Sequence, residues 1–431
     1  MELKGCKVAY ETLGCKLNFS ETSSLRRSLE ECGALSMDSA SEADLIVVNT
    51  CSVTDMAEKK ARQMIRHLHK KAPLAHIAVV GCYAQLRSEE LMAMDGVVCV
   101  VGAKEKMHLC EKLLELKLPE RESHGCDIFT VKGFDGAYSF GDRTRSFLKI
   151  QDGCNYFCSY CTIPYARGIS RSGTIESVVA DVEKLAANGV KEIILTGVNT
   201  GEFGVTNGES LIELMRVLDS RDDIERYRIS SIEPNLLTDE IIRFIATSRH
   251  FMPHFHVPLQ AGSDEVLKLM RRRYDTALFA EKIATIRKYL PFAFIGVDII
   301  AGMRGETDEL FEKSLEFVKS LDISKLHVFP YSERSGTKAL EIPYVVSQQE
   351  KHRRVERLLE ISNVKMCEFT LKNIGQTRPV LFESKAKNGM IYGFTDNYLK
   401  VAKLWNESLI NAVVSIELTR ENFSADEDSL L

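Results

Sequence analysis

Along the first ~120 residues, short unbroken apolar runs alternate with stretches whose apolar positions recur at helical spacing. VAYETLG is followed by a helical stretch from about Glu21 to Glu31 that stops at Gly33. DLIVVNT leads into a polar helix from about Thr54 to Lys71, ended before Pro73. HIAVVG precedes a short helix, and GVVCVVG precedes a last one near 104–117. Buried strands alternating with helices predict an α/β unit over 1–120, built on a doubly wound parallel sheet. The pattern breaks over residues 119–146, where Pro119, Gly125, Gly133, Gly136 and Gly141 fall, and 121–142 is read as a linker.

A second series of βα units follows. SFLKIQ, EIILTG, YRISSI, HFHVPL, FIGVDII and KLHVFPY are six candidate strands. Between the first two, Ile175, Val178, Val179, Val182 and Leu185 repeat at helical spacing, and Asn188-Gly189 supplies the stop. Six such units over 143–368 predict a partial (β/α)6 barrel, an incomplete relative of the eight-unit form. A charged helix near 347–372 ends this region. TRPVLFES, GMIYGFTDNYLKVAKL and LINAVVSIELTR then read as strands without helices, so 371–431 is expected to be a small all-β domain ending in a disordered acidic tail, SADEDSLL.

Composition narrows the class. The 431 residues are 45% hydrophobic and 27% charged, as in ordinary globular proteins. No apolar run is long enough to span a bilayer, and MELKGCKVAY lacks the apolar core of a signal peptide, so a cytoplasmic location and no membrane partner are expected. Twelve scattered cysteines read as thiols or metal ligands rather than a disulfide scaffold. A net charge of −5 advertises no global attraction to nucleic acid, but basic clusters exist. Lys59, Lys60, Arg62, Arg66, Lys70 and Lys71 share one helix, and Arg143, Arg145, Lys149, Arg167 and Arg171 face only Asp152 locally.

Cys15, Cys51 and Cys82 each follow a predicted strand of the first sheet. Parallel strands end at one edge, where open α/β sheets bind ligands, so three distant cysteines converge on one mouth. The bland alternative is three buried structural thiols. Cys154, Cys158 and Cys161 form a C-x₃-C-x₂-C group in the loop after the first strand of the second series. Structural zinc wants four closed ligands, whereas an iron–sulfur cluster suits thiolates and can leave one iron open.

A C-x₃-C-x₂-C loop after the first barrel strand resembles the radical S-adenosylmethionine (SAM) enzymes. TLGCKLN, NTC, GCYAQ, GCNYFCSYC with IPYARG, HVPLQAGSD and DIIAG, in that order, resemble more closely the methylthiotransferases. The resemblance implies two 4Fe–4S clusters, one on Cys154, Cys158 and Cys161 whose open iron holds SAM, and an auxiliary one on Cys15, Cys51 and Cys82 that carries the transferred sulfur. It also implies a C-terminal TRAM domain for RNA. TLGCKLN and IPYARG look most like the branch acting on N6-threonylcarbamoyladenosine in tRNA. The isopentenyladenosine branch tends toward YGCQMN, and the branch acting on a ribosomal-protein aspartate toward LGCPKN. The implied product is 2-methylthio-N6-threonylcarbamoyladenosine beside the anticodon, with SAM as both methyl donor and radical source. An electron donor such as flavodoxin or ferredoxin and a sulfur donor are implied partners of the enzyme, besides the tRNA anticodon stem-loop.

Polar residues at predicted strand ends are candidate SAM contacts: Gly197, Asn199, Glu233, His256, Gln260 and Asp298. Tyr156 and Phe157 would pack over the cluster or in the core. The family's glycine–aromatic–proline–glycine–glutamate pattern is replaced by GMRGE; Gly302 and Gly305 remain, and Arg304 is expected to face solvent or an anionic group. Arg378, Lys385, Lys387, Lys400 and Lys403, interleaved with Tyr392, Phe394 and Tyr398, are candidate RNA contacts, and Arg271–Arg273 are either RNA contacts or a solvated face. Cys6, Cys32, Cys99, Cys110, Cys126 and Cys367 are read as ordinary thiols. A non-catalytic RNA-binding protein with zinc at both triads is the reading from another class.

Overall fold

A computed structural model of the chain describes residues 1–141 and 144–423. Arg143 and the tail SADEDSLL, expected to be disordered, lie outside the described residues.

The first unit runs β1 (Lys7–Thr12), α1 (Lys16–Glu31), β2 (Leu35–Met37), β3 (Leu45–Thr50), α2 (Asp55–Lys71) and β4 (His76–Gly81). It continues with α3 (Cys82–Leu86), α4 (Ser88–Met92), β5 (Val97–Val101), α5 (Leu109–Glu115) and β6 (Glu122–His124). All pairings are parallel, in the order β2-β1-β3-β4-β5-β6. Leu25 and Leu29 of α1 pack with Leu109 and Leu113 of α5 on one face. Ala61, Ile65 and Leu68 of α2 cover the other face, which makes the sheet doubly wound as expected. The winding reverses beside β1, so the crevice between the carboxyl ends of β1 and β3 is the switch point where such sheets bind ligands. β6 comes from the segment read as linker; it pairs with β5 and covers a sheet edge that would otherwise expose unpaired backbone groups.

The barrel opens with β7 (Ala137–Tyr138), β8 (Arg145–Lys149), β9 (Gln151–Asp152), α6 (Ile163–Arg167), β10 (Arg171–Ser172), α7 (Ile175–Ala187) and β11 (Glu192–Thr196). α8 (Leu211–Asp219), β12 (Arg226–Ile229), α9 (Asp239–Thr247), β13 (His254–Gln260), α10 (Asp264–Leu269) and α11 (Thr276–Tyr289) follow. β14 (Phe294–Ala301), α12 (Asp308–Ser320) and β15 (Lys325–Pro330) complete it. The six parallel strands β8, β11, β12, β13, β14 and β15 are those read from the sequence. Leu148, Ile193, Leu195, Tyr227, Val257 and Val297 alternate outward into the helix-covered core. Burying each such side chain contributes about 1.5–3 kcal/mol. Their strand neighbours Lys149, Glu192, Arg228, His256 and Asp298 therefore point to the barrel interior.

The long helix α13 (Gln348–Asn373) lies against β15 and leads to β16 (Thr377–Lys387), β17 (Met390–Thr395), β18 (Lys400–Leu404) and β19 (Val413–Glu417). These form an antiparallel sheet in the order β18-β17-β16-β19. Arg228 clamps it to the barrel by donating to the carbonyls of Asp396 at 2.6 Å and Thr395 at 2.8 Å. Among the described residues no helix is long and apolar enough to cross a membrane.

Candidate active site

Cys15 caps the start of α1, Cys51 follows β3 directly, and Cys82 opens α3. All three therefore stand at the carboxyl edge of the first sheet, two of them flanking the switch point. Two glycines make this approach possible. Gly14 has φ +110°, and a Cβ there would stand 2.7 Å from the Cβ of Cys51. Gly81 has φ +102°, and a Cβ would meet the Thr50 carbonyl at 2.4 Å and Asn49 Oδ1 at 2.5 Å. Gly81→Ala is expected to destabilise the fold by about 2 kcal/mol or more and to displace Cys82, read as a lower melting temperature together with reduced iron uptake.

The second triad sits in the loop between β9 and α6. The backbone N–H of Tyr156 donates to Cys154 Sγ and that of Ile163 to Cys161 Sγ, both at 3.4 Å. Arg272 donates to Cys158 Sγ at 3.0 Å and is itself paired with Glu233. Across the domain boundary, Arg167 Nε donates to Cys82 Sγ at 3.2 Å. Thr162, next to Cys161, donates to the carbonyl of Ser52, next to Cys51, at 3.2 Å. The two triads thus face each other, each with one guanidinium on a sulfur.

Burial pushes the Cys51 and Cys161 thiols up to about 12, and raises Cys82, Cys154 and Cys158 as well. Such thiols become thiolates only against a strong local positive charge, which a metal centre supplies. Structural zinc takes four closed ligands, whereas an iron–sulfur cluster is held by thiolates and can leave one iron open, so a three-thiol donor set fits the cluster better than one zinc ion.

Around Cys82 lies a buried ion cluster that the sequence pattern did not reveal. Glu21, fully buried, accepts from Lys106 at 2.6 Å, Lys149 at 3.2 Å and Arg167 at 3.1 and 3.2 Å. Asp152 accepts from Arg167 at 2.9 Å and Lys149 at 3.3 Å, with Arg171 Nη2 at 3.8 Å. The basic residues 145–171 are therefore internal rather than an RNA-facing patch. Arg145 pairs with Glu383 at 3.2 Å, and Arg171 donates to the carbonyls of Arg167 and Ile169. Four cations against two carboxylates leave an excess positive charge beside Cys82, which matches an anionic thiolate–cluster assembly.

Gly197, Asn199, Glu233 and Gln260 end the strands above this loop. A Cβ at Gly197 would meet Gln151 Oε1 at 2.8 Å, so this glycine makes room for Gln151, which in turn accepts from the Asn199 backbone N–H at 2.9 Å. The Asn199 side chain is buried, yet both its amide atoms lack partners. Orphaned buried amides are rare, so this one fits a polar cofactor group. Gln260 has φ +65°, at a β-bulge. His256 and Asp298 lie deeper in the barrel, with His256 Nε2 2.7 Å from Asp298 Oδ1.

Residues 7–102 match the uncharacterized protein family UPF0004, and residues 148–318 match the radical SAM superfamily. Over 429 residues the chain is 37% identical to a threonylcarbamoyladenosine tRNA methylthiotransferase MtaB of Bacillus subtilis (strain 168), covering 97% of this chain and 95% of that one. The chain belongs to the radical SAM methylthiotransferases. A tRNA-2-methylthio-N(6)-dimethylallyladenosine synthase of Desulfitobacterium hafniense (strain Y51) is 31% identical, covering 96% of this chain and 95% of that one. The radical SAM methyltransferase TsrM of Kitasatospora setae, solved with cobalamin and a [4Fe-4S] cluster, has a TM-score of 0.54 at 14% identity, covering 76% of this chain and 75% of that one. At that identity the likeness concerns the fold alone.

In this methylthiotransferase several expected roles change. Arg378 is buried and bonded to Asp396 at 3.1 Å and Asn373 at 3.0 Å, so it holds the C-terminal sheet together instead of meeting RNA. Lys385 and Lys387 are exposed and Lys403 is half-buried, whereas Lys400 lines an internal cavity. Arg272 serves the cysteine loop, whereas Arg271 and Arg273 are exposed, Arg273 lying over the Tyr156 ring at 4.2 Å and donating to the Asn155 carbonyl at 2.7 Å. Phe157 is exposed rather than in the core, stacked on Phe129 and edge-on to Tyr165. Arg304 meets an anionic group as expected, Glu333 at 2.6 Å, while Met303 is fully buried. Cys32 and Cys110, read as separate thiols, are joined as a disulfide where α1 and α5 pack together.

Proposed function

We propose that this methylthiotransferase acts on N6-threonylcarbamoyladenosine next to the anticodon of tRNA and converts its C2–H to C2–S–CH₃. The observation that carries the reading is the opposition of the two triads, linked by the Thr162 hydroxyl on the Ser52 carbonyl and by Arg167 on Cys82. Cys154, Cys158 and Cys161 would hold one 4Fe–4S cluster, and Cys15, Cys51 and Cys82 the other. When bound, the clusters and SAM supply the radical, the methyl group and the sulfur.

The protein's own contribution is placement. Arg167 and Arg272 put charge-assisted donors on one sulfur of each triad, which favours the thiolate. Glu233 orients Arg272. Asn199 offers its free amide, and Gln151 fixes the loop that carries it. Cys51, Cys82 and Cys158 are buried, which limits the access of water to the inner side of each triad. An unactivated ring carbon is beyond ordinary acid–base catalysis, so tight positioning and water exclusion are the properties such chemistry requires.

Resemblance to the relatives named threonylcarbamoyladenosine tRNA methylthiotransferase supports the substrate over the isopentenyl and ribosomal-protein alternatives. The C-terminal antiparallel sheet stands where the family carries its TRAM domain, and Lys385, Lys387 and Lys403 are its remaining RNA contacts in this reading. A flavodoxin- or ferredoxin-like electron donor, a sulfur donor and a cytoplasmic setting complete it. Nucleoside mass spectrometry of tRNA from a strain lacking the protein is expected to show loss of 2-methylthio-N6-threonylcarbamoyladenosine and accumulation of its unthiolated precursor. Full retention of the methylthio nucleoside, with no second enzyme making it, overturns the substrate assignment.

A further inference from the structure

A cavity of ≈ 510 Å³ lies where all three units meet. His256, Asp298 and His327 contribute from the barrel, Phe394 and Tyr398 from the C-terminal side, and Lys16 from the N-terminal domain. A second cavity of ≈ 300 Å³ shares Lys16 and Tyr398 with the first and reaches Cys15. Lys16 directly follows Cys15, so the first turn of α1 places the ammonium and the cluster ligand together.

Charge decides what this cavity would hold. Lys106 and Lys149, the other inward-facing lysines at the domain boundary, are both paired with Glu21. Among the described residues Lys16 has no such partner. Among the described residues lining the cavity, Asp298 is the one carboxylate, and it is already engaged by His256. Lys325 and Lys400 also line the space, whereas Arg228, 5.0 Å from the Tyr398 ring, is already paired with Glu192 at 2.8 Å. His256, Asp298 and His327 are close enough to chelate a cation, but the surrounding positive charge opposes that and favours an anion. Buried His254, on the same wall, leaves Nδ1 unpartnered. The Phe394 and Tyr398 rings stand 5.1 Å apart; Arg145 covers one side of Phe394 at 4.1 Å, and the rings give the cavity an aromatic wall for a planar base. A partly enclosed cation beside aromatic faces and free polar nitrogens is complementary to an aromatic base that carries a carboxylate.

We infer that Lys16 reads the substrate's N6 side chain by pairing with the threonyl carboxylate, while the modified base sits in this cavity. The inference rests on the function proposed above and names the residue that would separate threonylcarbamoyladenosine from a base with an apolar N6 tail. Lys16 would act as a specificity residue, and its position next to Cys15 would bind the reading of the side chain to the placement of the sulfur.

The test is equilibrium binding of a fluorescent anticodon stem-loop RNA to the full chain, followed by anisotropy at fixed salt. Two RNAs are compared, one with N6-threonylcarbamoyladenosine and one with its threonyl methyl ester, which removes the charge and adds one methyl group. The unaltered protein is expected to prefer the acid by about 10- to 100-fold, the range of a charged hydrogen bond. Lys16→Gln should bind both RNAs alike, and Lys16→Arg should restore the preference. Iron content measured on each variant checks that the neighbouring Cys15 site is intact. Equal binding of acid and ester by the unaltered protein overturns carboxylate reading, and a preference that survives in Lys16→Gln overturns the role of Lys16. Either result, obtained while the enzyme still methylthiolates the acid RNA, removes this inference and leaves the proposed function standing. Failure to convert the acid RNA at all removes the function itself.

Discussion

Cys51→Ala is expected to lower tRNA methylthiolation by more than about 10³-fold while cleavage of SAM to 5′-deoxyadenosine persists. Iron per chain should fall from about eight to about four, because one of two four-iron sites is lost. Cys158→Ala should lose both reactions, since the site expected to hold SAM is then incomplete. The asymmetry follows from placement. Cys51 belongs to the first sheet's switch point, whereas Cys158 lies in the barrel loop below Asn199 and Glu233, with Arg272 on its sulfur. Chromatography of 5′-deoxyadenosine and mass spectrometry of the RNA product, run on the same reaction, separate the two outcomes. Normal methylthiolation by Cys51→Ala would remove the first triad from the sulfur-transfer chemistry.

Glu21→Gln should have the second largest effect, on stability and on docking of the first unit to the barrel. Its carboxylate is fully buried and neutralises Lys106, Lys149 and Arg167, two of which come from the barrel. Removing one partner of a buried ion pair costs about 3–5 kcal/mol, because the remaining charges stay desolvated. Differential scanning calorimetry should show a lowered melting temperature, and limited proteolysis should show earlier cutting between residues 124 and 145. The same group sets a pH dependence. Arg167, Lys106 and Lys149 hold the Glu21 carboxyl well below its ordinary value of 4.5, against the opposing effect of burial. A depressed folded-state pKa means the stabilisation is fully present above about 4.5 and is lost as pH falls toward the folded value. Denaturant midpoints should therefore decline below about pH 4.5 in the parent protein, and this component of the decline should be absent in Glu21→Gln. An unchanged acid limb would show that Glu21 does not carry it.

Much of the architecture was legible because strand and helix periods are local. The six barrel strands, the first parallel sheet and the stop of α7 after Ala187 follow from alternation and from Asn188-Gly189. Both cysteine triads were legible for a related reason. In a parallel sheet, a residue just after a strand has its edge fixed by chain direction alone. What was misread is equally instructive. Residues 143–171 looked like a basic patch because Asp152 is the lone acid among them, and the neutralising Glu21 lies more than a hundred residues away in sequence. Lys149 did carry a hint, since it occupies an inward position of β8, where a charge needs a partner. Arg378 was assigned to RNA for its neighbours in sequence, whereas Asp396 and Asn373 claim it in space.

The sequence by itself determined the α/β units and the placement of six cysteines at strand ends and in the first barrel loop. Each of these depends on local periodicity or on the residue type at a strand end. Only the tertiary structure decided that the triads face each other through Thr162 and Arg167, that the buried cations share Glu21, and that Lys16 opens into a cavity walled by all three units. Those facts depend on desolvated contacts between residues distant in the chain. Burial, rather than residue type, determines whether a charged side chain is a surface group, a structural ion pair or a receptor for a ligand.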